Sequence, residues 1–252
     1  MINVTQTGIL ALLFLHGCAS ERSGTSVGNP GKMTGTAGST SDVVMEYLET
    51  YVTEVAFTDC EGEVAYNAYG ATADLLSGFE LPMPAGEICG VELLGDGLLF
   101  ASGYDAEGTY FTANMTIEER MEVKTNYGFF VDGEDFVYEI GAPGWLDSAT
   151  LNLGGLSVDF MPEDQVAMDL AERVEKDVAL FEDSDGDGQV NEAERSEGAV
   201  ASAAVARGEE DDSIRPRVSG EGARCTASPD APSQAGWLIL GALFGLARRR
   251  HR

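Results

Sequence analysis

Between residues 43 and 160 short apolar and aromatic runs alternate with glycine- and aspartate-rich breaks, and this punctuation constrains the fold more than any other feature of the chain. The runs fall at residues 64–69, 73–76, 88–94, 98–104, 109–117, 122–127, 136–140 and 150–160. As a set they are of strand length and enriched in Val, Tyr, Phe and Thr, whose branched or planar side chains suit a pleated surface. Gly95-Asp96-Gly97, residues 105–108 and Asp132-Gly133-Glu134-Asp135 supply the breaks, because Gly tolerates positive φ and Asp bonds its own downstream backbone. Met45 to Phe57 (MEYLETYVTEVAF) fits a helix or a strand, and its β-branched and aromatic content favours one long strand. Strands at near-regular spacing joined by such turns predict a mainly β chain folded as an antiparallel β-sandwich. No repeat of fixed period is evident.

A second pattern names a chemistry. Residues 183–194 read DSDGDGQVNEAE, with oxygen-bearing side chains at the first, third, fifth, seventh, ninth and twelfth positions and Gly188 at the sixth. A hard cation such as Ca²⁺ takes about six to eight oxygens at roughly 2.3–2.6 Å, so short carboxylates must converge while the backbone reverses around them. The order resembles the EF-hand calcium loop. That resemblance implies one Ca²⁺ held by Asp183, Asp185, Asp187, the Gln189 backbone carbonyl, Asn191 directly or through water, and Glu194 as the closing bidentate ligand. The alternative is an acidic, glycine-rich surface turn. Val166, Leu170, Val174 and Val178 recur every fourth residue, with Ala167, Ala171 and Phe181 widening the stripe, and predict an amphipathic helix leading into the loop. The Ala-rich stretch 192–206 predicts an exiting helix interrupted by Gly198. Residues 161–207 are therefore expected to form a helix-loop-helix segment after the sandwich, without a second loop to pair with it.

Composition bounds the partners. A formal net charge of -28 repels phosphate backbones, which argues against nucleic acid. The only histidines, His16 and His251, lie in the terminal segments, so Ser-His-Asp and Cys-His catalysis and His-ligated zinc or iron are excluded from the body between them. Carboxylate-pair chemistry remains open.

The termini carry export signals. An apolar run at residues 9–15 leads into Leu15-His16-Gly17-Cys18, which resembles a bacterial lipobox. The resemblance implies that residues 1–18 are a signal peptide and that Cys18 is lipidated; an ordinary secretory signal is the alternative. Residues 19–42 are expected to be a flexible Gly/Ser/Thr tether. Beyond an acidic, Pro-containing linker at 208–234, residues 235–252 combine an apolar run with an arginine cluster. At about 1.5 Å per residue that run spans only some 20 Å, short against roughly 30 Å of hydrocarbon. With Cys225 and its spacer, it resembles the myxobacterial C-terminal sorting tail, which implies surface sorting with processing near Cys225. A plain membrane anchor is the alternative. Both place the chain outside the cytoplasm, at the outer membrane or cell surface.

With Cys18 and Cys225 assigned to the termini, Cys60 and Cys89 remain as a pair inside the body. A bridge closing about 30 residues stabilises by roughly 3–4 kcal/mol on the chain-entropy model. Two free thiols are the alternative.

One further resemblance covers roughly residues 43–160. The segment ADLLSGFELPMPAGEICGVELLGDG, with Asp74-Leu75-Leu76, then Met83 to Gly86 running into Ile88 to Leu93, resembles an uncharacterised β-sandwich domain of bacterial lipoproteins. It implies a fold and no activity. Pro84 and Gly86 read as turn makers and Trp145 as a core or rim residue. The functional expectation is a non-catalytic, surface-anchored, calcium-binding lipoprotein with an unidentified protein or polysaccharide ligand. Two alternatives are kept: a calcium-dependent, dockerin-like docking module, and a carboxylate-dependent carbohydrate-active enzyme.

Overall fold

The computed structural model describes residues 28–209 and Ile214. Cys18, Cys225, the signal peptide and the 235–252 tail lie outside the described residues. The expectation of a mainly β chain holds: among the described residues eleven strands run as β1 Gly31–Ala37, β2 Val44–Asp59, β3 Val64–Asp74, β4 Phe79–Met83, β5 Gly86–Tyr104, β6 Tyr110–Thr116, β7 Arg120–Val131, β8 Asp135–Ile140, β9 Val158–Phe160, β10 Ala179–Asp183 and β11 Ala201–Ser202. Four helices are interspersed: α1 Ser148–Leu151, α2 Gln165–Lys176, α3 Glu192–Glu197 and α4 Ala203–Ala206.

The strands form one sheet in the order β3-β2-β5-β7-β11-β10-β8-β1-β4, with β6 and β9 branching from β5. Its two end strands come back together, where the Asn67 side-chain amide on β3 donates to the Pro82 carbonyl on β4. The result is a nearly closed, barrel-like sheet. It is not wholly antiparallel, since β1 lies parallel to β8 and β6 parallel to β9.

Alternation explains the walls. Met33, Val52, Val91, Phe111, Val123 and Phe136 are completely buried in the interior, while their sequence neighbours face outward. Tyr138 is also fully buried, and its hydroxyl donates to the Met121 carbonyl at 2.6 Å, joining β8 to β7, which β10 and β11 separate in the sheet order. Burial, reinforced by the charges of Glu92 and Glu122, pushes that phenol well above its ordinary range.

One break and one run of the sequence pattern turn out otherwise. Gly95-Asp96-Gly97 is not a hairpin turn, because β5 runs unbroken through it. Residues 86–94 pair with β7 and residues 98–104 with β6, so the glycines mark where one long strand changes partner. A Cβ on Gly95 would stand 2.7 Å from the Tyr51 carbonyl, and Gly97 has φ 76°, which explains why glycine occupies both positions. The run at 150–160 divides into α1 and the short β9.

Two boundaries also move. Residues 31–37, expected within the tether, form β1 between β8 and β4. The amphipathic helix ends at Lys176, with Asp177 at its C-cap, so Phe181 does not extend its stripe. Ala167, Leu170, Ala171 and Val174 form the buried face of α2, but residues 179–183 are pulled into the sheet as β10, between β8 and β11. Tertiary pairing outweighs helical period here because β10 satisfies its backbone groups on both sides and buries Leu180 completely.

Candidate metal centre

The acidic loop begins at the last residue of β10 and ends in α3, so it is entered from a strand. The expected entering helix is present as α2 but stops at Lys176, short of the loop, so the helix-loop-helix geometry of an EF-hand is not what positions these carboxylates. What positions them is sheet register. Asp183 stands opposite Asp135 on β8, which stands opposite Lys32 on β1. The next two rows of the same face are Phe181–Val137–Thr34 and Ala179–Glu139–Thr36. The loop and α3 fold back over this outer face.

Asp183, Asp185 and Asp187 each place a carboxylate oxygen within 4.8 Å of the others. The turn is built from aspartates bonding downstream amides. The Asp183 carboxylate accepts from Gly186 N–H at 2.8 Å and Gly188 N–H at 3.0 Å, Asp185 from Asp187 N–H at 3.2 Å, and Asp187 from Gln189 N–H at 2.8 Å. Gly186 and Gly188 take φ of 76° and 75°, the conformation such a tight reversal needs.

The twelfth residue closes the loop from the helix side. Glu194 is buried; its Oε1 accepts from Ser184 N–H at 2.8 Å and from the Ser184 hydroxyl at 3.2 Å, and its Oε2 accepts from Asn191 N–H at 3.0 Å. Asn191 caps α3 in return, its Oδ1 accepting from Ala193 and Glu194 N–H, while its Nδ2 donates to Asp185 Oδ2 at 3.1 Å. This is a capping box. Gln189 turns its side chain away from the aspartates, its amide donating to the Thr36 hydroxyl at 3.4 Å.

Electrostatics make the centre costly without a cation. Burial pushes the Asp183 carboxyl above the usual range, and the charges of Glu194 and Asp187 push the same way against the Gly188 and Gly186 amides. Among the described residues no Lys or Arg forms an ion pair with Asp183, Asp185 or Asp187. Two unit charges about 4 Å apart repel by about 1 kcal/mol in water and by several times more at lower effective dielectric.

Ordinary aspartate turns occur elsewhere in the molecule. Asp59, Asp74 and Asp105 each form an ordinary turn by accepting downstream amides. A single aspartate is enough for such a turn. Three converging ones add repulsion that turn formation does not require, and oxygen-only donors around a glycine-bearing loop fit a calcium-type ion.

Residues outside the motif complete the setting, and no local signal announces them. Arg195 forms a two-pronged ion pair with Glu139, donating from Nη1 at 2.7 Å and from Nη2 to the other oxygen, and its guanidinium lies 5.5 Å from the Phe181 ring centroid. The partners are 56 residues apart in the chain. Burial holds the Glu139 carboxyl above the usual range even though Arg195 pulls it down.

The expected cysteine pair is present as a disulfide between Cys60 and Cys89, with Cα atoms 4.9 Å apart. It staples the β2 end to β5, where Asp59 pairs with Ile88. Trp145 is buried, its indole N–H donating to the Gly38 carbonyl at 3.0 Å, which accounts for it as a core residue. Among the described residues no helix is long and apolar enough to cross a membrane.

A separate cleft of about 600 Å³ opens beside β5, β7, α2 and α4. Glu92, Glu118, Glu122, Glu172, Glu175 and Glu209 line it together with Arg120, Lys176 and Arg207. Several of its carboxylates are engaged: Glu92 with Arg120, Glu122 with Lys124, and Glu175 with the Glu118 N–H.

No family model matches the chain, and no curated protein is similar to it. A solved structure described as "NMR structure of the protein from Eubacterium rectale" aligns at 10% identity over 57% of this chain and 98% of that one, with a TM-score of 0.19. That likeness is too slight to bear on fold or function.

Proposed function

We propose that the chain is an exported, non-catalytic surface protein whose loop 183–194 binds one Ca²⁺ and thereby fixes the loop and α3 onto the sheet. One observation carries the reading: three aspartates converge within 4.8 Å where the turns at Asp59, Asp74 and Asp105 each use one, without an ion-paired cation among the described residues. Asp183, Asp185 and Asp187 are the side-chain ligands, and the Gln189 carbonyl adds a backbone oxygen. Asn191 acts through water, since its amide already serves the helix cap and Asp185. Glu194 exchanges its loop amides for the ion as the closing ligand.

The loop is EF-hand-like in sequence and strand-entered in setting, and the curled sheet behind it acts as a flattened, sandwich-like body. Lipidation at Cys18 and sorting through Cys225 belong to the same proposal, which sets the protein at the outer surface, held by lipid, tail or both. The ligand of the body is a protein or polysaccharide.

Affinity falls in the extracellular range, on the order of 0.1–1 mM, because the loop has no partner loop to preorganise it. Mg²⁺ competes poorly, since it demands tight octahedral geometry and gives up water reluctantly. Calorimetry on the full chain in detergent tests this, with Glu194→Gln as control. Calcium heat in the wild type that weakens in the variant supports the reading; silence at several millimolar Ca²⁺ rejects it.

The glutamate cleft supports a second reading, a carboxylate-dependent carbohydrate-active enzyme. Burial, with the charges of Glu118 and Glu172, raises the Glu175 carboxyl above the usual range against the Glu118 amide, as a general acid requires. The engagement of three cleft carboxylates by other groups weighs against it. Release of reducing sugar from surface polysaccharide, abolished by Glu175→Gln, would favour the enzyme.

A further inference from the structure

The face beneath the acidic loop is polar where it meets β1. Lys32, Thr34 and Thr36 alternate along that strand and share one side, opposite the interior residue Met33. Thr34 and Thr36 are nevertheless almost wholly buried, at 4% and 1% exposure. Loop residues contribute to the cover: Gln189 Nε2 donates to the Thr36 hydroxyl at 3.4 Å, and the Thr34 hydroxyl lies 3.4 Å from the position a Cβ would occupy on Gly188.

The Thr34 hydroxyl has no hydrogen-bond partner among the described residues, whereas Thr36 also donates to the Leu75 carbonyl at 3.1 Å. Closing the loop over β1 therefore desolvates a hydroxyl without replacing its bonds, and it brings three carboxylates together. Both terms favour an open loop. Opposing them is the Arg195–Glu139 pair, which anchors α3 to β8. Asp183 is held in β10 and Arg195 on β8, so the segment free to lift is residues 184–194.

We infer that a calcium ion in this loop acts as the clasp of the first strand: occupancy closes residues 184–190 over Thr34 and Thr36 and holds β1 between β8 and β4. The inference rests on the calcium reading above. It gives the ion a specific mechanical task, because β1 is the first strand of the described chain and lies between β8 and β4. When the ion leaves, the aspartates separate, Thr34 regains water, and β1 loses the cover on its polar side.

Hydrogen exchange on the full chain in detergent tests the clasp, comparing CaCl₂ with chelator. If β1 opens only when the ion leaves, amides of residues 32–36 slow by the factor 1 + [Ca²⁺]/Kd, roughly 10- to 100-fold at 10 mM for an affinity of 0.1–1 mM. Protection confined to residues 184–194, with β1 unchanged, overturns the clasp and leaves calcium binding standing. No protection anywhere, with no calcium heat, removes both. Thr34→Val supplies the second arm, since it keeps shape and deletes the orphaned hydroxyl. Tighter calcium binding, about threefold or more, is expected because the closed loop no longer strands a polar group. Unchanged or weaker binding overturns the coupling.

Discussion

Two cross-links hold this sheet, and they differ in kind. The Cys60–Cys89 disulfide is covalent and ties strands that already exchange backbone hydrogen bonds. The strand–loop–helix segment from β10 to α3 is polar and folds back across β10, β8 and β1, joining segments distant in sequence. The first needs only an oxidising compartment. The second balances carboxylate repulsion, a buried ion pair and an orphaned hydroxyl, so its strength depends on solution conditions. One end of the sheet is thus fixed once, while the other remains adjustable.

Breaking the covalent side gives the largest expected effect. Replacing Cys60 and Cys89 together by Ala removes roughly 3–4 kcal/mol on the chain-entropy model, and calorimetry should record a fall in Tm of roughly 10 °C. That loss is independent of calcium if the two cross-links act separately. A disulfide variant whose Tm deficit disappears in CaCl₂ would show that they do not.

On the polar side, Arg195→Met leaves Glu139 without its partner and should cost about 3 kcal/mol at pH 8 by denaturant unfolding. The sign of its pH dependence follows from burial. Glu139 already has a raised folded-state pKa, and removing Arg195 raises it further, so the stability that protonation supplies is present below the unfolded carboxylate pKa and is lost as pH rises. The variant should therefore recover toward wild type as pH falls from 8 to 5. Equal destabilisation at both values would mean that stem packing, not charge, explains the role of Arg195.

Calcium itself sharpens the contrast by a smaller amount. With an affinity of 0.1–1 mM, 10 mM Ca²⁺ stabilises by about 1.4–2.7 kcal/mol, a rise in Tm of roughly 3–10 °C, and Glu194→Gln should lose most of it. A full calcium shift in that variant would remove Glu194 from the ligand set.

The smallest effect is acid sensitivity. Asp183 must be ionised to bind the ion, and burial with the charges of Glu194 and Asp187 raises its pKa, so protons compete at a higher pH than for an ordinary aspartate. The calcium-induced rise in Tm should be complete near pH 7 and shrink on acidification before the usual carboxylate range is reached. For the ion-free protein the sign is opposite: stability contributed by protonating Asp183 is present at low pH and lost as pH rises through its folded pKa. A calcium shift constant down to pH 4 would contradict this assignment.

Local pattern made some of this legible. The β-branched and aromatic run at residues 45–57 lies inside β2, and the alternation of residues 109–117 corresponds to β6. Gly198, expected to interrupt the exiting helix, takes φ 91° at the end of α3 and separates it from α4. Cysteine count identified the disulfide once the terminal cysteines were set aside. Other elements had no local signature. Residues 31–37 are Gly-, Thr- and Ala-rich without apolar alternation, and they become a strand only because β8 and β4 offer edges on both sides. The stripe ending at Val178 continues a helical period that nothing nearby contradicts, yet β8 and β11 convert the residues after it into β10.

The acidic loop divides in the same way. Spacing alone determined that Asp183, Asp185 and Asp187 lie on one tight turn with Glu194 at its close, because the aspartates bond amides two to five residues away and short-range geometry leaves few alternatives. Only tertiary structure decided that the turn is entered from a strand, that it lies across Thr34 and Thr36, and that Arg195 reaches Glu139. Those contacts span 56 to 153 residues, where register between strands, not local propensity, decides which side chains meet.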